Sequence, residues 1–168
     1  MFGIPVFGTM AHSYVQAHDS EAASFESFAE LYPETTLLVD TYDTLEGVRK
    51  VIDLSRKLGA RFRVRAVRLD SGDLGSLATQ TRKLLDEGDL KHGTIFASSS
   101  LDEYQIRDLV GSGAPIDVFG VGTKLAILES ASHLDMAYKL VEYGGKRTAE
   151  ALNQKGAVPG TQTGVPAS

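Results

Sequence analysis

Six short segments carry the side chains that could do chemistry. Gly8-Thr9-Met10-Ala11-His12-Ser13 combines a glycine, a hydroxyl and an imidazole. Glycine lets a ligand approach the backbone closely. His12 has the chemistry of a base or a nucleophile, and equally that of a histidine satisfied at a helix start. Asp40-Thr41-Tyr42-Asp43 sets two carboxylates three residues apart. They could hold Mg²⁺ through water or orient a histidine; Asp43 alone could be a helix cap. Arg68-Leu69-Asp70-Ser71-Gly72-Asp73 is the richest segment. Arg68 and Asp70 share a face if both are extended, suiting a carboxylate and a diol respectively, or forming only a structural ion pair. Ser98-Ser99-Ser100 and Gly120-Val121-Gly122-Thr123 offer small donors and backbone N–H groups suited to phosphate. Ala137 to Glu142 is the sixth segment, apolar and strand-like.

The elements that must position these residues alternate. Strands are expected at Ile4–Phe7, Leu37–Val39, Arg63–Leu69, Thr94–Ala97 and Ile116–Phe119, with a sixth at Ala137–Glu142. Between them, amphipathic stretches predict helices. One runs from Ser20 to Leu31, and one starts at a Thr44 cap and ends at Gly59. Another passes through Leu77, Leu84 and Leu85 to Gly88. The last is opened by a Ser100/Glu103 capping box. This βα rhythm predicts a parallel sheet. The first five strand candidates each run into polar or glycine-rich residues, so their C-terminal ends would gather on the side where α/β folds bind ligands.

Composition bounds the reading. The 168 residues amount to one domain and carry a formal net charge of −5, which argues against sequence-independent nucleic-acid binding. Cysteine is absent, excluding a disulfide framework, a cysteine zinc site and a thiol nucleophile. No apolar run approaches a membrane span and no leader is visible, so a cytoplasmic protein without membrane partners is expected. A closed (β/α)8 barrel takes about 250 residues. Five or six strands therefore mean either an open sheet or part of a larger barrel. Residues Lys155 to Ser168 lack apolar periodicity and read as a tail.

Taken together, the segments resemble the nicotinate phosphoribosyltransferase family, within the type II phosphoribosyltransferases. The matching pieces are Gly8–Ser13, Leu38–Asp43, Val67–Leu74, Ser99–Glu103, Phe119–Thr123 and Ala137–Glu142, in the family's order. The resemblance implies parallel βα units forming part of an incomplete TIM-like barrel over residues 1–145, followed by a divergent, irregular tail over 146–168. It implies formation of nicotinate mononucleotide and diphosphate from nicotinate and 5-phosphoribosyl 1-diphosphate in NAD biosynthesis. Mg²⁺ would be the cofactor, and ATP a co-substrate coupled through a phosphohistidine. By the same resemblance His12 is the phosphoryl acceptor and Asp40 its partner. Thr9 and Arg68 contact nicotinate, Asp70 holds the ribose hydroxyls, and Ser99, Gly122 and Thr123 bind phosphate. A homodimer or other homo-oligomer is implied as well. Family members carry a further N-terminal domain that supplies an aromatic residue to the nicotinate site, so the chain is expected to correspond to the central part of the enzyme. Two competing expectations stand beside this one: a truncated remnant that binds phosphoribosyl or nucleotide ligands without turnover, and another pyridine phosphoribosyltransferase.

Overall fold

The computed structural model describes residues 8–126 and 142–147. The described part is an α/β fold: a four-stranded parallel sheet flanked by helices. Strands β1 (Thr36–Leu38), β2 (Ala66–Leu69), β3 (Thr94–Ala97) and β4 (Val118–Phe119) lie side by side in sequence order. Before and between them come helices α1 (His12–Gln16), α2 (Glu21–Leu31), α3 (Thr44–Leu58), α4 (Leu74–Glu87) and α5 (Glu103–Gly111). A four-residue helix α6 (Thr123–Ala126) follows β4. A separate antiparallel pair joins β5 (Glu142–Tyr143) to β6 (Lys146–Arg147).

The core lies on the helix side of the sheet. Leu37, Val67 and Ile95 are paired in register and buried, as are Leu69 and Ala97. They meet Val48, Val51 and Ile52 of α3 and Ala78 and Leu85 of α4 in one apolar cluster. Gly47 lets α3 pack onto the end of β1, since a Cβ there would stand 2.1 Å from the Val39 carbonyl oxygen. A burial of this kind, at about 25 cal/mol per Å² of apolar surface, is the main force holding the layers together.

Several expectations are met and several corrected. The strand expected at Thr94–Ala97 is found with those bounds. The helix expected from Ser20 is capped by Ser20, whose hydroxyl accepts the Ala23 N–H. The cap of α3 is Asp43 rather than Thr44: its carboxylate accepts the Glu46 N–H at 2.9 Å, which leaves Asp43 in the capping role. The capping box of α5 is Asp102 with Gln105, not Ser100 with Glu103. Ser99 (φ 110) and Ser100 (φ 36) take left-handed backbone conformations, and a cap needs the extended backbone that Asp102 has. Strand β4 is shorter than expected because the Asp117 carboxylate, not a backbone carbonyl, accepts the Ile95 N–H at 2.8 Å. Helix α1 carries no side-chain cap and begins at His12, where the alternative reading of that residue set a helix start. The expected strand at Ile4–Phe7 lies outside the described residues, as do 137–141 of the sixth. Glu142, its last residue, belongs to the antiparallel pair instead. Lys146 and Arg147, the first residues of the expected irregular tail, form β6; residues 148–168 lie outside the described residues. Among the described residues no helix is long and apolar enough to cross a membrane.

Candidate active site

The site follows from strand register. Leu38, Arg68, Phe96 and Val118 are paired across the four strands. Side chains so paired point to the same face, and alternation puts them opposite the helix-facing row of Leu37, Val67 and Ile95. Two residues further along each strand stand Asp40, Asp70, Ser98 and Gly120, one step beyond the ladder. The parallel sheet therefore delivers a polar row to its C-terminal edge, above Arg68 and Phe96.

Hydrogen bonds tie this row together. The Arg68 guanidinium donates through Nη2 to Asp70 Oδ1 at 2.7 Å and through Nε to Ser98 Oγ at 2.7 Å. The Ser98 hydroxyl in turn donates to Asp70 Oδ1. Asp40 Oδ2 accepts the Asp70 N–H at 2.8 Å and the Ser71 hydroxyl at 2.6 Å. His12 begins α1 and faces the row from the side: Nε2 lies 3.6 Å from Asp70 Oδ2, and Nδ1 lies 3.1 Å from Thr41 Oγ1. Arg68, Asp70 and His12 are all partly exposed. Burial alone would push the Asp70 carboxyl up. The bonds from His12, Ser98 and Arg68, with the Arg68 charge, outweigh it and hold the group well below the usual carboxylate range. Asp70 is thus an acceptor throughout the physiological pH range.

A cavity of about 430 Å³ opens on this row, lined by Thr9, Arg68, Asp70, Phe96, Ser98, Ser99, Ser100 and the stretch from Gly120 to Thr123. Six of the expected site residues, Thr9, Arg68, Asp70, Ser99, Gly122 and Thr123, therefore share one cavity. The Thr9 hydroxyl gives its proton to the Thr36 carbonyl at 2.8 Å, so toward a ligand Thr9 offers acceptor capacity. Arg68 uses Nε and Nη2 internally; Nη1 has no hydrogen bond to a described residue and is available to an anion.

His12 and Asp40 are not part of the lining and meet it through Asp70. The expected pairing of Asp40 with His12 is corrected. Asp40 Oδ2 is engaged by the backbone and hydroxyl beyond β2, and Asp40 Oδ1 is buried with no hydrogen-bond partner. Asp70 and Thr41 stand at the imidazole instead. The physical reason is that a strand-end carboxylate is closest to the neighbouring strand's freed backbone N–H. Phe96 is a lining residue that the sequence reading did not name, and Ser98 and Thr41 stood there only as members of their segments, without the contacts to Arg68, Asp70 and His12 that the structure gives them. Parity along β3 was the available signal for Ser98 and Phe96, since both fall on the Arg68 face once register is known.

Among the described residues no three His, Asp or Glu side chains converge as a metal cage. Mg²⁺ commonly binds through one or two carboxylates plus substrate phosphates. The donor set of the described residues fits no cage of protein ligands.

No protein-family model matches the chain. It is 58% identical over 159 residues to nicotinate phosphoribosyltransferase pncB2 of Mycobacterium tuberculosis, covering 95% of this chain and 34% of that protein. It is 45% identical over 141 residues to the nicotinate phosphoribosyltransferase of Bacillus subtilis, covering 83% and 29%. At the level of family the chain belongs with the nicotinate phosphoribosyltransferases. It spans about a third of the length of the curated relatives it matches. In structure it is similar to a nicotinate-nucleotide pyrophosphorylase from Pyrococcus furiosus, with a TM-score of 0.59 and 28% identity, covering 86% of this chain and 37% of that one.

Proposed function

We propose that this chain carries the phosphoribosyl-transfer site of a nicotinate phosphoribosyltransferase. The reaction joins nicotinate to 5-phosphoribosyl 1-diphosphate, giving nicotinate mononucleotide and diphosphate on the route to NAD. The observation that carries the reading is the shared cavity: Arg68, Asp70 and the Gly120–Thr123 loop face one space of about 430 Å³. An anionic ring, a diol and a phosphate each find a complementary group there.

Arg68 Nη1 anchors the nicotinate carboxylate, and a guanidinium suits this planar anion better than an ammonium would. Asp70, ionised, accepts hydrogen bonds from the ribose hydroxyls. The loop amides from Val121 to Thr123, with Ser99, hold the 5-phosphate. The pyridine nitrogen then attacks the anomeric carbon. The bond from that carbon to diphosphate breaks, and diphosphate leaves with the electron pair. Positive charge develops on the ribose in between, so fixed geometry and the nearby Asp70 carboxylate supply the stabilisation. His12 acts on ATP: a neutral imidazole nitrogen attacks the terminal phosphoryl group, the phosphoanhydride bond breaks, and ADP leaves. Mg²⁺ would accompany the diphosphate and screen its charge.

Four parallel strands in sequential order, each followed by a helix, suit a segment of a (β/α) barrel. The reading includes such an incomplete TIM-like barrel, a catalytic region over 1–145, and a homo-oligomer working in the cytoplasm. The barrel, the catalytic region and the oligomer rest on the family resemblance, and the cytoplasmic setting on the sequence, which shows no apolar run of membrane-spanning length.

The test is product formation by the full 168-residue chain from nicotinate, phosphoribosyl diphosphate, Mg²⁺ and ATP, beside a His12→Ala control. ATP-stimulated nicotinate mononucleotide that loses its ATP dependence in His12→Ala supports the reading; an ATPase rate unchanged by His12→Ala removes His12 from it. One observation favours a second reading, ligand binding without turnover: the chain covers only 34% of its mycobacterial relative. Ribose 5-phosphate binding in a folded chain that makes no product would decide for that reading. Quinolinate and nicotinamide are the proper competing substrates, since either one preferred over nicotinate would point to another pyridine phosphoribosyltransferase.

A further inference from the structure

Phe96 is placed unusually for a large aromatic residue. Its neighbours Ile95 and Ala97 enter the helix-side core, whereas Phe96 lies on the opposite face in register with Arg68. Among the described residues lining the cavity, only Phe96 and Val121 have apolar side chains. The ring contributes to the cavity rather than to the core. It is also held from beyond β4: a Cβ on Gly120 would stand 2.7 Å from Phe96 Cε2 and 2.8 Å from Cζ. A side chain at 120 would have to displace the ring, so glycine there lets Phe96 sit against the backbone just beyond β4, and both residues line the cavity. The Arg68 guanidinium lies 6.0 Å from the ring centroid. An aromatic acid anchored on that guanidinium must lie alongside Phe96.

We propose that Phe96, seated against Gly120 and beside Arg68, is the specificity-determining wall that sizes the aromatic-acid subsite for a single six-membered ring. This rests on the reading of Arg68 as the carboxylate anchor. A ring fused onto the pyridine would extend into the volume that Phe96 fills, so wild type rejects the bicyclic acid by steric exclusion. Phe96 takes no part in bond making.

The experiment measures dissociation constants of nicotinate and quinoline-3-carboxylate by calorimetry on the full chain. The bicyclic acid keeps the same ring nitrogen and carboxylate and adds a fused ring. Wild type should bind nicotinate and reject the bicyclic acid. Phe96→Ala should bind quinoline-3-carboxylate at least about tenfold more tightly than wild type does, and nicotinate more weakly, because a pocket wall discriminates by that order of magnitude. Phe96→Leu, which keeps more apolar volume, should fall between them. A purely structural role would weaken both acids alike and could not reverse the preference. Should Phe96→Ala fail to fold, the ratio in Phe96→Leu carries the same decision. A folded variant that binds nicotinate but leaves the ratio unchanged overturns the size limit alone, leaving Arg68 as anchor. A wild type that binds neither acid, or binds nicotinate no better than Arg68→Ala does, overturns the anchor and the size limit together.

Discussion

Asp40 acts on the site through the backbone of Asp70. One carboxylate oxygen, Oδ2, accepts the Asp70 N–H at 2.8 Å and the Ser71 hydroxyl at 2.6 Å, fixing both residues just beyond β2. Asp40 is 8% exposed, so these bonds form in surroundings that strengthen them. The direction of the Asp70 side chain, and with it the fork to Arg68 and Ser98, is set from the neighbouring strand.

Replacing Asp40 separates this positioning role from one of charge. Asp40→Ala takes the acceptor from the half-buried Asp70 N–H, while the exposed Ser71 hydroxyl can turn to water, so the stability cost is about 1 kcal/mol. Asp40→Asn retains an acceptor oxygen and should cost less. Binding of ribose 5-phosphate, measured by calorimetry, should weaken in Asp40→Ala by roughly tenfold and less in Asp40→Asn. Equal losses in the two variants would mean that the charge of Asp40, not its acceptor, matters to the site.

Arg68→Lys is a severe change at this position. An ammonium cannot span Ser98 Oγ and Asp70 Oδ1 while presenting a further N–H edge to a ligand, as the guanidinium does. Nicotinate affinity should fall by about tenfold or more, the scale of one charge-assisted hydrogen bond of about 1.5–3 kcal/mol. Titration calorimetry checks it; affinity within a factor of about two of wild type would remove the fork from the argument.

The polar strand ends were legible because alternation and turn chemistry are local. The β3 segment Thr94–Ala97 has its strand pattern written in four residues. Which strand-end side chains meet was not legible, since register is a long-range property. The triple serine shows this: Ser98 ties Arg68 to Asp70, while Ser99 next to it takes a left-handed turn and only lines the cavity. The partner of Asp40 was hidden for another reason. It is a backbone N–H, which no residue letter announces. The capping box of α5 moved two residues because the turn at Ser99 and Ser100 delays the helix.

Asp70 should keep its charge far into acid. Its folded carboxyl is held below the ordinary 3.8 by His12, Ser98 and Arg68 against the upward push of burial. An acid whose pKa is depressed on folding adds stability above its unfolded pKa, and that stability is lost as pH falls through the folded value. The Asp70 contribution is therefore fully present at neutral pH and begins to fade only below about pH 4. A carbon-detected NMR titration of the Asp70 carboxyl should show the ionised form down to about pH 3. In Ser98→Ala the midpoint should rise, because one donor to the carboxylate is gone; an unchanged midpoint would show that Ser98 contributes nothing to the charge state.

Glu21 poses the opposite case behind the site. It is 3% exposed at the start of α2, with Lys50 Nζ 2.7 Å from Oε2 and no hydrogen-bond partner for Oε1. Burial raises its pKa; Lys50 counters in part, and the charges of Asp40 and Asp43 add to the rise. Lys50→Met removes the cation and should destabilise the fold at neutral pH by about 1–2 kcal/mol, less than the loss of a fully buried pair because the Lys50 side chain is 37% exposed. For a carboxyl raised on folding, the cost falls on the ionised form and disappears as pH drops through the folded pKa. The loss in Lys50→Met, read from urea unfolding, should therefore shrink at acid pH. Combining it with Glu21→Gln should recover most of the stability at neutral pH, since no buried charge then stands unpaired. A loss that is the same at both pH values, and that persists in the double variant, would trace the effect to the packing of the Lys50 stem instead of the ion pair.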